Sequence, residues 1–132
     1  MEENFKIINM AEVEMKEVDW LWHPYIPYGK VTIIQGDPGE GKTAFMLYLI
    51  SLLTTGAALP GEETGGDPIN VIYQTAEDGL GDTIKPRFTA MGADCSRVMV
   101  IDEMDKELYL SDERLEEAII QTNAKVIVMD PL

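Results

Sequence analysis

Gly36-Asp37-Pro38-Gly39-Glu40-Gly41-Lys42-Thr43 fits the pattern G-x-x-x-x-G-K-[ST], and its neighbours decide how it is read. The apolar, β-branched segment Val31-Thr32-Ile33-Ile34 enters it, and Ala44-Phe45-Met46-Leu47-Tyr48-Leu49-Ile50 leaves it. A strand, a glycine-rich turn and a helix in that order aim backbone N–H groups and the positive end of a helix dipole at one point. The expected ligand is the phosphate chain of a nucleotide. The alternative, a glycine-rich turn with no ligand, requires both flanking elements to be misread.

Working outward, the spacing predicts a helix from about Lys42 to Leu53, free of Gly and Pro and closed by Thr54-Thr55-Gly56. It is apolar almost all round, which suits a helix covered on more than one side. A turn-rich connection, Pro60 to Pro68, leads to a second strand, Asn70 to Gln74, which runs into Thr75-Ala76-Glu77-Asp78-Gly79. A helix from Gly81 or Asp82 to Met91 follows, its start limited by Pro86, and then a third strand, Val98 to Ile101, and an acidic loop, Asp102 to Glu107. Ser111-Asp112-Glu113 reads as a cap and acidic first turn of a helix whose inner face carries Leu115, Ala118, Ile119 and Thr122. The last apolar run, Val126 to Met129, ends in Asp130.

Upstream, the apolar pieces around Phe5, Ile7 and Ile8 and around Val13, Met15 and Val18 suit an edge strand or a covering flap. Trp20 to Gly29 is an aromatic, proline-punctuated approach that packs over the first strand or beside the nucleotide base. His23 reads as a packing or turn residue and Arg87 as a partner in a surface salt bridge.

Alternating strands and helices specify an α/β fold with a mostly parallel sheet and flanking helices. Ligands of such sheets sit beyond the carboxyl ends of the strands, where the phosphate loop, Glu77 and Asp130 all fall. Lys42 is a flexible point charge able to reach the β and γ phosphates, and the amides from Gly39 to Thr43 complete the cradle. Thr43 offers a hydroxyl oxygen to Mg²⁺, and Asp130 faces the same ion, directly or through a water. Glu77 is the candidate for polarising the attacking water, with Asp78 as its rival and helix capping as the bland reading of both. The side chains of Asp37 and Glu40 are expected to face solvent, since carboxylates turned toward phosphates oppose binding.

Composition bounds the surroundings. With 132 residues and 45% hydrophobic content, the chain is the size of one domain with a modest core. Its single cysteine, Cys95, excludes an intrachain disulfide framework, and the amino terminus has neither the basic start nor the apolar core of a signal peptide. No apolar run reaches membrane length, so a cytoplasmic protein without a membrane partner is expected. The formal net charge of −14, from 24 acidic and 10 basic residues, opposes contact with a nucleic-acid backbone unless basic groups are gathered locally or supplied from elsewhere.

Four segments together resemble a known family: PYIPYGKVTIIQGDPGEGKT, VIYQTAEDG, the stretch Ile84 to Asp94, and VIVMDPL. They look like RecA-like P-loop ATPases, closest to the RepA-type hexameric replicative helicases, from about Trp20 onward. The resemblance implies residues 1–29 as a lead-in flap and 30–132 as a partial RecA-like ATPase domain. Gly36, Gly39, Glu40, Gly41, Lys42, Thr43 and Ala44 would form the Walker A nucleotide-binding set, and Asp130 would end the Walker B strand. Glu77 would be the catalytic base, acting with Lys42 on ATP and Mg²⁺. It further implies a homo-oligomeric ring with nucleotide between subunits, a finger residue from the neighbour, and movement along or remodelling of single-stranded DNA through segments outside this chain. Family members carry a further strand between the Walker A and Walker B strands, and the resemblance covers roughly the amino-terminal half of such a core. Without that strand, the Val31 and Val126 segments are not expected to pair. A nucleotide-responsive assembly module with negligible turnover, or a regulatory ATPase with protein clients, stays open beside the motor. Phosphotransferases using the same loop are disfavoured, because no arginine-rich lid follows.

Overall fold

The computed structural model describes residues 5–37, 41–75, 79–102 and 111–130, and the chain divides into two compact units, Met1–Ile34 and Gln35–Leu132.

In the first unit, strands β1 (Trp20–Trp22) and β2 (Ile26–Pro27) pair antiparallel. The turn between them is closed by the Tyr25 amide donating to the Trp22 carbonyl at 2.7 Å, and the Tyr28 amide reaches the Asp19 carbonyl at 2.8 Å. Aromatic rings pack in pairs here. His23 packs T-shaped on Trp20 and Tyr25 lies against Trp22 at 4.7 Å, so His23 has the turn and packing place its sequence context suggested. Before the hairpin, where the sequence suits an edge strand or a covering flap, no strand forms among the described residues. Residues 5–19 are irregular apart from a 3-10 turn, Met10–Glu12, capped by the Asn9 side chain, and Phe5, Ile7, Ile8 and Met15 are exposed.

The second unit holds the core. Helix α1 (Lys42–Thr55) lies between two left-handed glycines, Gly41 at φ +84° and Gly56 at φ +73°. Gly56 is required twice over, because a Cβ there would also stand 2.6 Å from the Gly66 carbonyl oxygen. Two polar residues in the helix's second half are satisfied by backbone groups: Ser51 Oγ donates to the Leu47 carbonyl at 2.7 Å, and Thr54 Oγ1 donates to the Ser51 carbonyl and accepts from the Asp94 amide at 3.2 Å. That bonding lets Ser51 and Thr54 be buried with Leu47, Leu49 and Ile50. Phe45 and Tyr48 remain partly open, so the apolar helix is not covered all round in this chain.

Strands β3 (Val71–Thr75), β4 (Val98–Met99) and β5 (Val126–Asp130) form a parallel sheet in the order β4-β3-β5. Parallel register sets Val71 against Val126, Tyr73 against Val128 and Thr75 against Asp130. Because side chains alternate faces, Val71, Tyr73, Val126 and Val128 share the face that packs with Leu47 and Ile50 of α1 and with Ile84 and Phe88. Between β3 and β4 a π-helical turn, Leu80–Ile84, feeds the short helix α2 (Lys85–Ala90). Pro86 therefore lies inside the first turn of α2 and does not mark the start of helical structure, since the early amide positions need no intrahelical acceptor.

The third strand is shorter than its apolar run suggests. Past Met99, the Gln74 side chain takes over the pairing, donating Nε2 to the Ile101 carbonyl at 3.1 Å and accepting the Ile101 amide at 2.6 Å. Helix α3 (Glu113–Thr122) starts at the Asp112 cap, whose carboxylate accepts the Arg114 amide at 2.9 Å, and Leu115 is its buried anchor. Ile119 is a correction: it is more than a third exposed, because Asn123 in the left-handed region turns the chain directly into β5 and leaves the inner face short. Arg87 is exposed and forms no ion pair among the described residues, unlike Arg97 and Arg114, which have acids two or three positions away.

The largest difference is the segment before the phosphate loop. Residues 31–37 carry no strand ladder among the described residues, and Val31 and Ile33 are 75% and 60% exposed. A β-rich sequence becomes a strand only when a neighbour completes its backbone hydrogen bonds, and no described strand pairs with this one.

Candidate nucleotide site

The site is built at the carboxyl ends of β3 and β5 and the amino end of α1. Gly41 stands as the cap residue of α1 and, being a glycine, supplies no side-chain cap to the helix's first amides. The first intrahelical bond runs from the Phe45 amide to the Gly41 carbonyl at 2.9 Å, so the amides of Lys42, Thr43 and Ala44 have no acceptor within the helix. No acidic residue occupies the first turn to neutralise the dipole. These three amides and the lysine make a positive, donor-rich helix end suited to an anion.

Across from it, Thr43 Oγ1 donates to Asp130 Oδ2 at 2.9 Å, a contact spanning 87 positions of sequence. Asp130 faces α1 because it is two and four residues along β5 from Val128 and Val126, which pack with the core on that side. The same carboxylate oxygen accepts the Tyr73 hydroxyl at 3.2 Å. Tyr73 has no exposed surface, and its ring meets Phe88 edge-on at a centroid distance of 6.0 Å.

Of the residues singled out from sequence, Gly41, Lys42, Thr43 and Ala44 lie together at the start of α1, and Asp130 joins them through Thr43. Gly36 and Asp37 are exposed in the irregular lead-in. Gly39 and Glu40 of the loop, and Glu77 and Asp78 after β3, lie outside the described residues. Tyr73 is the residue that sequence reasoning missed. Its signal was faint but present: a lone phenol at the centre of the strand, on the same alternation as Thr75, the strand-end residue opposite Asp130.

Thr43 and Asp130 form a hard, all-oxygen donor pair, one hydroxyl and one carboxylate, within hydrogen-bond distance of each other. That set fits magnesium, which keeps several waters and is held by one or two carboxylates together with substrate phosphates. Among the described residues no group of three His, Cys, Asp or Glu side chains forms a cage of its own.

A family model described as an AAA domain matches residues 3–132. The chain belongs to the AAA domain family. Comparison with curated proteins finds no match, and neither does comparison with solved structures. Within an AAA domain the parallel sheet and flanking helices are those of a partial P-loop ATPase core, and nucleotide binding with ATPase chemistry is the family's general activity. No helix among the described residues is long and apolar enough to cross a membrane.

Proposed function

We propose that this AAA domain binds ATP with Mg²⁺ at the amino end of α1 and hydrolyses it within an oligomeric ring to drive unwinding, loading or remodelling of single-stranded DNA. The observation that carries the nucleotide reading is the Thr43–Asp130 hydrogen bond, which joins the two oxygen donors a nucleotide-bound magnesium needs. Lys42 would neutralise the β and γ phosphates, and the amides of residues 39–44 would cradle them. Thr43 and Asp130 would hold the metal, whose charge offsets that developing on the transferred phosphoryl group. Glu77, two residues beyond the end of β3, would orient the attacking water.

A second reading, an AAA ATPase with protein clients, is favoured by the formal charge of −14, which opposes a polyanionic track. Turnover measured with and without single-stranded DNA separates the two. DNA stimulation that fades with added salt supports the first, while DNA-independent turnover overturns it. Glu77→Gln is expected to lower turnover by about 10²–10⁴-fold while leaving ATP bound, and undiminished turnover would remove Glu77 from the role.

A further inference from the structure

We propose that Tyr73 is a positioning residue for the magnesium site, fixing the Asp130 carboxylate through its hydroxyl, an inference that rests on Asp130 serving that metal. The strand register supplies the geometry. Tyr73 stands opposite Val128, so Asp130 is its diagonal neighbour two positions further along β5 on the same face. Diagonal neighbours in a sheet are about 7–8 Å apart, a span a tyrosine reaches and a smaller side chain does not. The ring is fully buried and held edge-on by buried Phe88, which leaves the hydroxyl one direction to point.

The carboxylate shows why that hydroxyl matters. A carboxylate carries about four acceptor positions over its two oxygens. Tyr73 and Thr43 both donate to Oδ2, at 3.2 and 2.9 Å, whereas Oδ1 accepts no hydrogen bond from the described residues. Two donors from different elements, one on β3 and one on α1, fix the rotation of the carboxylate and present Oδ1 in one orientation. With a metal held there, Thr43 would offer it an oxygen lone pair while its proton stays available to Oδ2, so Thr43 would serve both the ion and the acid. Tyr73 has no such second duty, and its hydroxyl serves only to orient the acid. A phenylalanine would fill the same core volume, so the packing around Leu47, Ile50 and Phe88 does not require the oxygen.

Tyr73→Phe separates the two roles. ATP binding to the full chain is measured by isothermal titration across a range of Mg²⁺ concentrations and again in chelator, beside Asp130→Asn and the unaltered chain. Tyr73→Phe is expected to raise the Mg²⁺ concentration for half-maximal enhancement of ATP binding about tenfold, the scale of losing an outer-shell partner, with metal-free ATP affinity within about twofold. A shift in Asp130→Asn with none in Tyr73→Phe overturns the proposal while leaving the site reading intact. No Mg²⁺ dependence in the unaltered chain, or none lost in Asp130→Asn, overturns the site reading and the positioning role with it. Equal losses with and without Mg²⁺ in Tyr73→Phe assign the hydroxyl to folding and also overturn the proposal. If Tyr73→Phe does not fold, Phe88→Leu, which loosens the ring and keeps the hydroxyl, is expected to raise the same Mg²⁺ requirement by a smaller factor, and an unchanged requirement sinks the idea.

Discussion

The two rims of the three-stranded sheet use polar side chains in opposite ways. At the amino ends, Asn70 donates Nδ2 to the Thr122 carbonyl at 2.7 Å and accepts an Arg97 N–H on Oδ1 at 3.0 Å, while its carbonyl accepts the Lys125 amide at 2.9 Å. One side chain thus ties the start of β3 to the end of α3 and the turn before β4, and both of its amide groups are used. At the carboxyl ends, Asp130 gathers two hydroxyls on one oxygen, and the first three amides of α1 have neither an acceptor within the helix nor a side-chain cap from Gly41. The first rim closes its hydrogen bonds on the protein. The second holds charge and donors in reserve, which is what a ligand site requires.

That contrast can be broken most sharply at Lys42. Removing a charged donor to phosphate forfeits about 1.5–3 kcal/mol, so Lys42→Ala is expected to weaken ATP binding about ten- to hundredfold in calorimetric titration with the melting temperature nearly unchanged. ATP binding that survives unaltered would take the phosphates away from this rim. Asn70→Ala is the mirror experiment: leaving the Thr122 carbonyl and the Arg97 guanidinium short costs about 1–3 kcal/mol in denaturant unfolding, with ATP affinity unchanged. A loss of affinity without a loss of stability at Asn70 would erase the distinction between the rims.

Gln74 tests where the boundary lies, since it sits near the functional rim yet closes both groups on Ile101. Gln74→Leu is expected to cost about 1–2 kcal/mol of stability and to increase hydrogen exchange at Ile101, because the two exchanged bonds act as the last rung of the β3–β4 ladder. An Ile101 amide equally protected in the variant would refute that role.

The smallest effect is electrostatic. Asp94 is held below its ordinary value of 3.8, first by the Ser96 side chain, then by the Ser96 amide and by Arg97 nearby. A depressed carboxyl contributes stability that is present above its unfolded value and fades as pH falls through the lowered folded value. The turn Cys95–Arg97 is therefore expected to hold at neutral pH and loosen only below about pH 4, and Asp94→Asn is expected to flatten that acid limb of an unfolding curve. An unchanged acid limb would exclude Asp94 from it.

Much of this was legible from residues alone. Helix α1 and its glycine stop, the Asp112 cap and strand β5 ending in an acid all follow from local rules, because propensity, capping and alternation act within a few positions. The Val31 segment shows where such rules stop. Its residues favour a strand, but a ladder needs a partner, and strand propensity says nothing about whether one is present. Ile119 failed for a related reason, since helical spacing names a face without saying how far the neighbouring layer extends over it.

The sequence by itself determined an α/β chain with a phosphate-loop helix and an acid at the end of its last strand, because those signals are carried by neighbours a few bonds apart. The tertiary structure decided that Thr43 and Tyr73 meet on one oxygen of Asp130, across separations of 87 and 57 positions. Contacts at that range depend on strand order and register, which are fixed only when α1, β3 and β5 pack together around a common core.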